Sequence, residues 1–368
     1  MHPLKDIIEN KIIKDLTKSF SRSPFQLNKV HETDAEIIRL ENSTYDLAVT
    51  IDTISEEIKT GLYSDPYQIG WLSVMVNMSD LAAVGASPLG IVISQILPKE
   101  IPEEYLNEIQ KGINDACIKC GAFVLGGDTN FGDELIISGC AIGTVEKGKY
   151  LKRVGCKADD KIYITGKAGF GNAYAAQKLL LNNSELSFRT GLRERTPNED
   201  KGENDNTRFF PEAKLEWSNI LKKYSSSCID TSDGIISSLD QLMRLNNVGF
   251  KFRNDWVESI DDESKRLFIN FKLAPWLLLA GEHGEFELLF SIPADRKIDF
   301  LKEAHLSNLK PICLATATEY ENIKINLYDK EQILDTENIR NLAFEKDFTP
   351  AKYLQKLMEI DHKMSNLF

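Results

Sequence analysis

Residues 45–97 read YDLAVTIDTISEEIKTGLYSDPYQIGWLSVMVNMSDLAAVGASPLGIVISQIL, and the alternation within them decides the fold class. Tyr45 to Asp52 is β-branched and apolar between polar ends, the pattern of a buried strand that stops on a carboxylate. Asp65 followed by Pro66 supplies an N-cap and a proline at the first helical position. The helix they open carries Ile69, Trp71, Leu72, Val74, Met75, Val76, Met78 and Leu81 before Gly85. It is apolar on almost every face and must therefore be buried. Leu89 to Leu97 is a second strand, and strand, buried helix, strand makes an α/β unit.

Outward from this unit the pattern continues. Pro102-Glu103-Glu104 opens a further helix with acids at its positive end, a strand at Ala122–Leu125 runs into Gly126-Gly127-Asp128-Thr129, and Leu135–Val145 is a strand. Near Arg153 the pattern restarts, with a strand at Lys161–Thr165, a glycine-rich turn at Gly166–Gly171 and a helix at Asn172–Leu181. A short strand ending at Cys228-Ile229 leads into Asp230-Thr231-Ser232-Asp233-Gly234 and a helix through Ile235, Leu239 and Leu242. The apolar run Leu273–Ala280 precedes Gly281-Glu282-His283-Gly284-Glu285-Phe286-Glu287, and Leu288–Ile292 is another strand. Residues 193–208 (RERTPNEDKGENDNTR) lack aliphatic and aromatic side chains and are expected to form a solvated, mobile loop. The expected organisation is residues 1–150, residues 151–345, and a C-terminal amphipathic helix within 346–368.

The 368 residues suit two domains, each large enough for its own core. With 44 Lys+Arg against 56 Asp+Glu the formal charge is -12, which argues against nucleic acid or an anionic membrane as the main partner. A phosphate substrate would then need metal ions to neutralise it. No run of about 18 uncharged apolar residues spans a bilayer. The first residues, Met1-His2-Pro3-Leu4-Lys5-Asp6, have no signal-peptide character, and six sparse cysteines point to reduced thiols in a cytoplasm. Cys117-Ile118-Lys119-Cys120 has no second pair at zinc-finger spacing and reads as two buried helix cysteines.

Chemistry concentrates on Asp34, Asp52, Asp80, Asp128, Asp230 and Asp233. Asp52, Asp128 and Asp230 end apolar strands, and Asp80 interrupts an otherwise apolar helix. A carboxylate so placed costs several kcal/mol unless paired or holding a cation. Basic partners in the same motifs are few, so hard cations such as Mg²⁺ are the natural counter-charge. Taken one at a time, a cap or turn accounts for most of these aspartates; as a set at strand ends they mark a ligand-binding edge. Neither glycine-rich turn matches a P-loop or a full GxGxxG, and His283 is expected to be a turn histidine.

The runs Thr50-Ile51-Asp52-Thr53, Asn77 to Pro88 (NMSDLAAVGASP), Gly126-Gly127-Asp128-Thr129 and Asp230-Thr231-Ser232-Asp233-Gly234 resemble, in order and spacing, a known superfamily. It contains aminoimidazole ribonucleotide synthase, selenophosphate synthetase and a hydrogenase maturation factor, and the likeness is to its thiamine-monophosphate kinase family. The resemblance covers roughly residues 30 to 325. It implies an N-terminal α/β domain that forms a homodimer, a C-terminal α+β domain, and ATP in a cleft with several Mg²⁺ ions. It further implies that Asp34, Asp52, Asp80, Asp128 and Asp230 ligate metal with help from Thr50, and that Asp233 holds a further metal near the acceptor. Asp230 and Asp233 would serve the transfer itself, Ser232 and Arg153 would touch ATP, and the Gly127-Asp128 backbone would cradle phosphate. The implied reaction passes the ATP γ-phosphoryl group directly to the phosphate of thiamine monophosphate, by positioning and charge neutralisation. An ATP-dependent synthase or kinase acting on another small acceptor is the alternative.

Three departures bear on that choice. The family's Gly-Asp-Asp-Ala is Glu32-Thr33-Asp34-Ala35 here, one acid short. Lys59 stands where the family has a substrate-side histidine, and the family's Gly-Gly-Glu-Asp-Tyr-Glu-Leu is shifted, leaving Glu282 and Glu285 both open as substrate contacts.

Overall fold

The computed structural model describes residues 7–179, 209–345 and 349–366; the polar stretch 193–208 lies outside them. The first sheet contains β1 (Glu36–Arg39), β2 (Tyr45–Thr53), β3 (Ser87–Pro98), β4 (Val124–Gly132) and β5 (Ile136–Glu146), in the order β1-β2-β5-β3-β4. Its inner face buries Ala48, Ile91, Ile93, Ile137 and Ala141 under the helix Pro66–Ala83. Asp65 caps that helix by accepting from the Gln68 N–H at 3.0 Å. The helix Glu103–Lys119 packs on it backbone to backbone. A Cβ at Gly70 would stand 2.0 Å from the Ile109 carbonyl oxygen, and one at Gly112 would stand 2.1 Å from that of Tyr67. Two glycines thus set the closeness of the crossing.

The second sheet contains β6 (Lys161–Ile164), β7 (Ser227–Asp230), β8 (Gly249–Phe252), β9 (Leu288–Ile292), β10 (Ile312–Thr318), β11 (Ile323–Leu327) and β12 (Lys330–Ile333). Its order is β12-β11-β8-β10-β6-β9-β7, antiparallel except for the β11/β8 pair. The core beneath it is built on Phe250, Phe268, Trp276 and Leu279. The C-terminal helix Pro350–Asn366 joins this core through Leu354 and Leu357, and the Tyr353 hydroxyl donates to the Ala280 carbonyl at 2.7 Å. Edge strand β7 lies against the helix Pro66–Ala83, where the Ser79 hydroxyl donates to Asp230 Oδ2 at 2.7 Å. That helix therefore joins the two sheets. The result is the expected combination of an α/β and an α+β unit. Among the described residues no helix is long and apolar enough to cross a membrane.

One local expectation is corrected. Gly126-Gly127-Asp128-Thr129 does not follow a strand as a turn but lies inside β4, the edge strand paired in parallel with β3. A Cβ at Gly127 would stand 2.0 Å from the Ile93 carbonyl oxygen, so the glycine serves close strand approach. Nor is β4 buried: it is exposed along nearly its whole length.

Candidate active site

Four separate segments deliver carboxylates to one place. Asp34 precedes β1, Asp52 lies near the end of β2, Asp80 sits in the last turn of the buried helix, and Asp230 ends β7. One carboxylate oxygen each from Asp34, Asp80 and Asp230 lies within 4.8 Å of the others. Their hydrogen bonds fix them from outside the cluster. Thr50 Oγ1 donates to Asp80 Oδ2, Ser79 and Ser232 donate to the two oxygens of Asp230 at 2.7 and 3.1 Å, and the Asp52 N–H donates to Asn77 Oδ1 at 3.1 Å.

Arg153 is the basic partner that the motifs had not offered. Its Nε and Nη2 donate to Asp34 Oδ1 at 3.2 and 2.8 Å. This leaves one guanidinium among three carboxylates, and Asp34 Oδ2 is buried with no hydrogen-bond partner. Burial is the leading cause of raised carboxyl pKa values here, with mutual repulsion adding to it. Asp80 is pushed well above the usual range by burial and then by Asp52, Asp230 and Asp34; Asp230 rises to about 7. Asp52 is raised by burial, and Asp233 rises to about 6 for the same reason. An orphaned oxygen in a set of hard oxygen donors short of positive charge fits Mg²⁺ held by Asp34, Asp80 and Asp230.

The cluster opens into a cavity of about 410 Å³ that Asp52, Ser232 and Asp233 also line. A second cavity, of about 330 Å³, adjoins it, and Asp233, Glu282, His283 and Arg340 line both. The second is more apolar, walled by Phe268, Leu277, Phe344 and Leu357, with Glu9, Glu56, Glu57, Asp233 and Glu282 as its acids. Burial, then the nearby Asp233, raises Glu282 to about 8, and burial lowers His283 to about 4. His283 is thus a wall of both cavities and not merely a turn residue. Arg340, Glu57 and Glu9 also escaped the sequence reading, since no motif surrounds any of them.

Asp34, Asp52, Asp80, Asp230, Asp233, Arg153 and Ser232 converge on the first cavity, with Thr50 behind Asp80. Other candidates stand elsewhere within the chain. Glu285 is buried and accepts from the Gly169 and Gly171 N–H groups at 2.7 and 2.9 Å, holding the glycine-rich turn Gly166–Gly171. Lys59 is exposed and pairs with Glu134 at 3.1 Å. Asp128 pairs in register with Ser94, Ser138 and Thr53, whereas Asp52 pairs with Gly139, Ile93 and Gly127. Adjacent rows face opposite sides of a sheet, and three strand spacings make about 14 Å. Asp128 therefore points to the outer face, away from the cluster in its own chain.

Residues 32–145 match the family model described as "AIR synthase related protein, N-terminal domain". The chain is 30% identical to the thiamine-monophosphate kinase of Pyrococcus horikoshii over 287 residues, 78% of this chain and 83% of the relative. It is 29% identical to that of Methanocaldococcus jannaschii over 299 residues, 80% and 89% of the two chains. A solved structure titled "AaThiL complexed with AMPPCP and TMP" superposes with a TM-score of 0.67 at 20% identity, covering 89% of this chain and 96% of that one.

Proposed function

The chain belongs to the thiamine-monophosphate kinase family, and from that premise we propose that it is a Mg²⁺-dependent kinase that transfers the ATP γ-phosphoryl group to the phosphate of thiamine monophosphate. The observation that carries this reading is the charge deficit of Asp34, Asp80 and Asp230 beside a second, more apolar cavity. Bound at those three residues, Mg²⁺ would neutralise the triphosphate and the charge that develops on the transferring group. Arg153, held on Asp34, directs its guanidinium toward the same space and orients phosphate oxygens. Asp233 lines both cavities, where donor and acceptor must meet in line, and Ser232 lies beside it in the first. Glu282, Glu56 and Glu57 among Phe268, Leu277 and Leu357 suit a flat ring carrying a positive charge.

Asp128 enters the scheme through a homodimer. The outer face of the first sheet exposes Ile51 (67%), Val92 and Leu125. A face of this kind calls for a partner, and a second copy would carry Asp128 toward the other subunit's nucleotide. Changing Ile51 to Asp should shift the mass in solution from dimer to monomer; an unshifted dimer would assign the contact to another surface.

The function is tested by incubating the protein with ATP, MgCl₂ and a panel of small phosphorylated acceptors and separating the products by chromatography. Thiamine diphosphate is the expected product. ADP formed only with a different acceptor would replace the substrate and keep the phosphotransfer.

A further inference from the structure

Arg340 sits on the short helix Thr336–Asn341 with its side chain 8% exposed, at the junction of the two cavities. One edge of its guanidinium is fixed from within: Nη1 donates to Asp240 Oδ2 at 3.0 Å and to Gln241 Oε1 at 2.8 Å. Asp240 does not depend on this bond, because Arg244 Nε also donates to its Oδ2 at 2.8 Å and Thr336 Oγ1 to its Oδ1 at 2.6 Å. The other edge, Nη2, donates to Glu9 Oε2 at 2.9 Å. Glu9 belongs to the N-terminal helix Ile8–Thr17, and its side chain is 40% exposed.

A guanidinium pinned on one edge and facing an exchangeable carboxylate on the other is a built anion site, since the same fork binds carboxylate and phosphate. The second cavity presents Glu9, Glu56, Glu57, Asp233 and Glu282, and Arg340 is its single Lys or Arg among the described residues. A phosphorylated acceptor entering there brings negative charge among acids and needs a cation near the nucleotide side. We infer that Arg340 binds the phosphate of the acceptor, and that Glu9 occupies that edge of the guanidinium until the acceptor displaces it. This rests on the reading of the substrate as a phosphorylated, ring-bearing acceptor. It adds the residue that distinguishes the phosphorylated acceptor from its dephosphorylated form.

The test compares calorimetric titrations of thiamine monophosphate and of thiamine into the full-length wild type, Arg340→Lys and Glu9→Gln. Lysine keeps the charge opposite Asp240 but loses the fork, so affinity for thiamine monophosphate should fall about 10-fold while that for thiamine stays unchanged. Glu9→Gln, at a partly exposed position, should raise affinity for thiamine monophosphate by roughly 3-fold and leave thiamine unchanged. Equal losses for both ligands in Arg340→Lys, or no change for the monophosphate in either variant, would overturn the assignment. A wild type that binds neither ligand would instead remove the acceptor reading, and the inference with it.

Discussion

Two buried acidic sites lie close together in this protein and are neutralised in opposite ways. Asp240 is fully buried, yet Arg244 and Arg340 both donate to it and Thr336 completes its shell. Asp34, Asp80 and Asp230 are three carboxylates against Arg153, with one oxygen of Asp34 left over. The first site is complete as a piece of protein. On the function proposed above the second is completed by cations from outside, which is the physical difference between a structural acid and a ligand site.

Breaking each site should have opposite consequences. Asp80→Asn should lower turnover by more than about 100-fold while leaving the cation-free protein as stable as the wild type or more so, because a repelled, buried charge is removed. Turnover within a few-fold of wild type would dissolve the contrast. Asp240→Asn should do the reverse, costing about 3 kcal/mol in urea unfolding by removing the buried charge that faces two guanidiniums, with no recovery on adding MgCl₂.

A pH series sharpens the comparison further. Asp230 titrates near 7 in the fold against 3.8 for an ordinary aspartate, so the stability its proton contributes is complete below about pH 4 and is lost as pH rises through about 7. In EDTA the melting temperature should therefore fall across that window, and MgCl₂ should raise it more at pH 8 than at pH 5. An equal Mg²⁺ effect at both values would detach the raised carboxyls from cation binding. The smallest effect is expected at Lys59, whose exposed pair with Glu134 should be worth no more than about 1 kcal/mol. If Lys59→Ala raised the acceptor KM more than about 3-fold, Lys59 would need a substrate role after all.

Much of this was legible in the sequence, for identifiable reasons. A carboxylate in an otherwise apolar helix, as at Asp80, announces a partner, and strand-terminal acids such as Asp52 and Asp230 announce an edge where ligands bind. Gly126-Gly127 was misread because a glycine pair looks the same locally whether it turns the chain or admits a neighbouring strand; only the pairing with β3 decides. Glu282 and Glu285 were indistinguishable along the chain, since their difference lies in the Gly169 and Gly171 N–H groups more than a hundred residues away. Arg340 was invisible because its partner Glu9 is 331 residues distant.

The most direct test titrates a non-hydrolysable ATP analogue into the protein with MgCl₂ and again with EDTA, for the wild type and for Asp34→Asn, the residue with the unpartnered oxygen. The account predicts saturable binding by the wild type with Mg²⁺, and its loss both in EDTA and in the variant. Equal affinity in all four titrations would contradict the claim that these carboxylates bind nucleotide through cations.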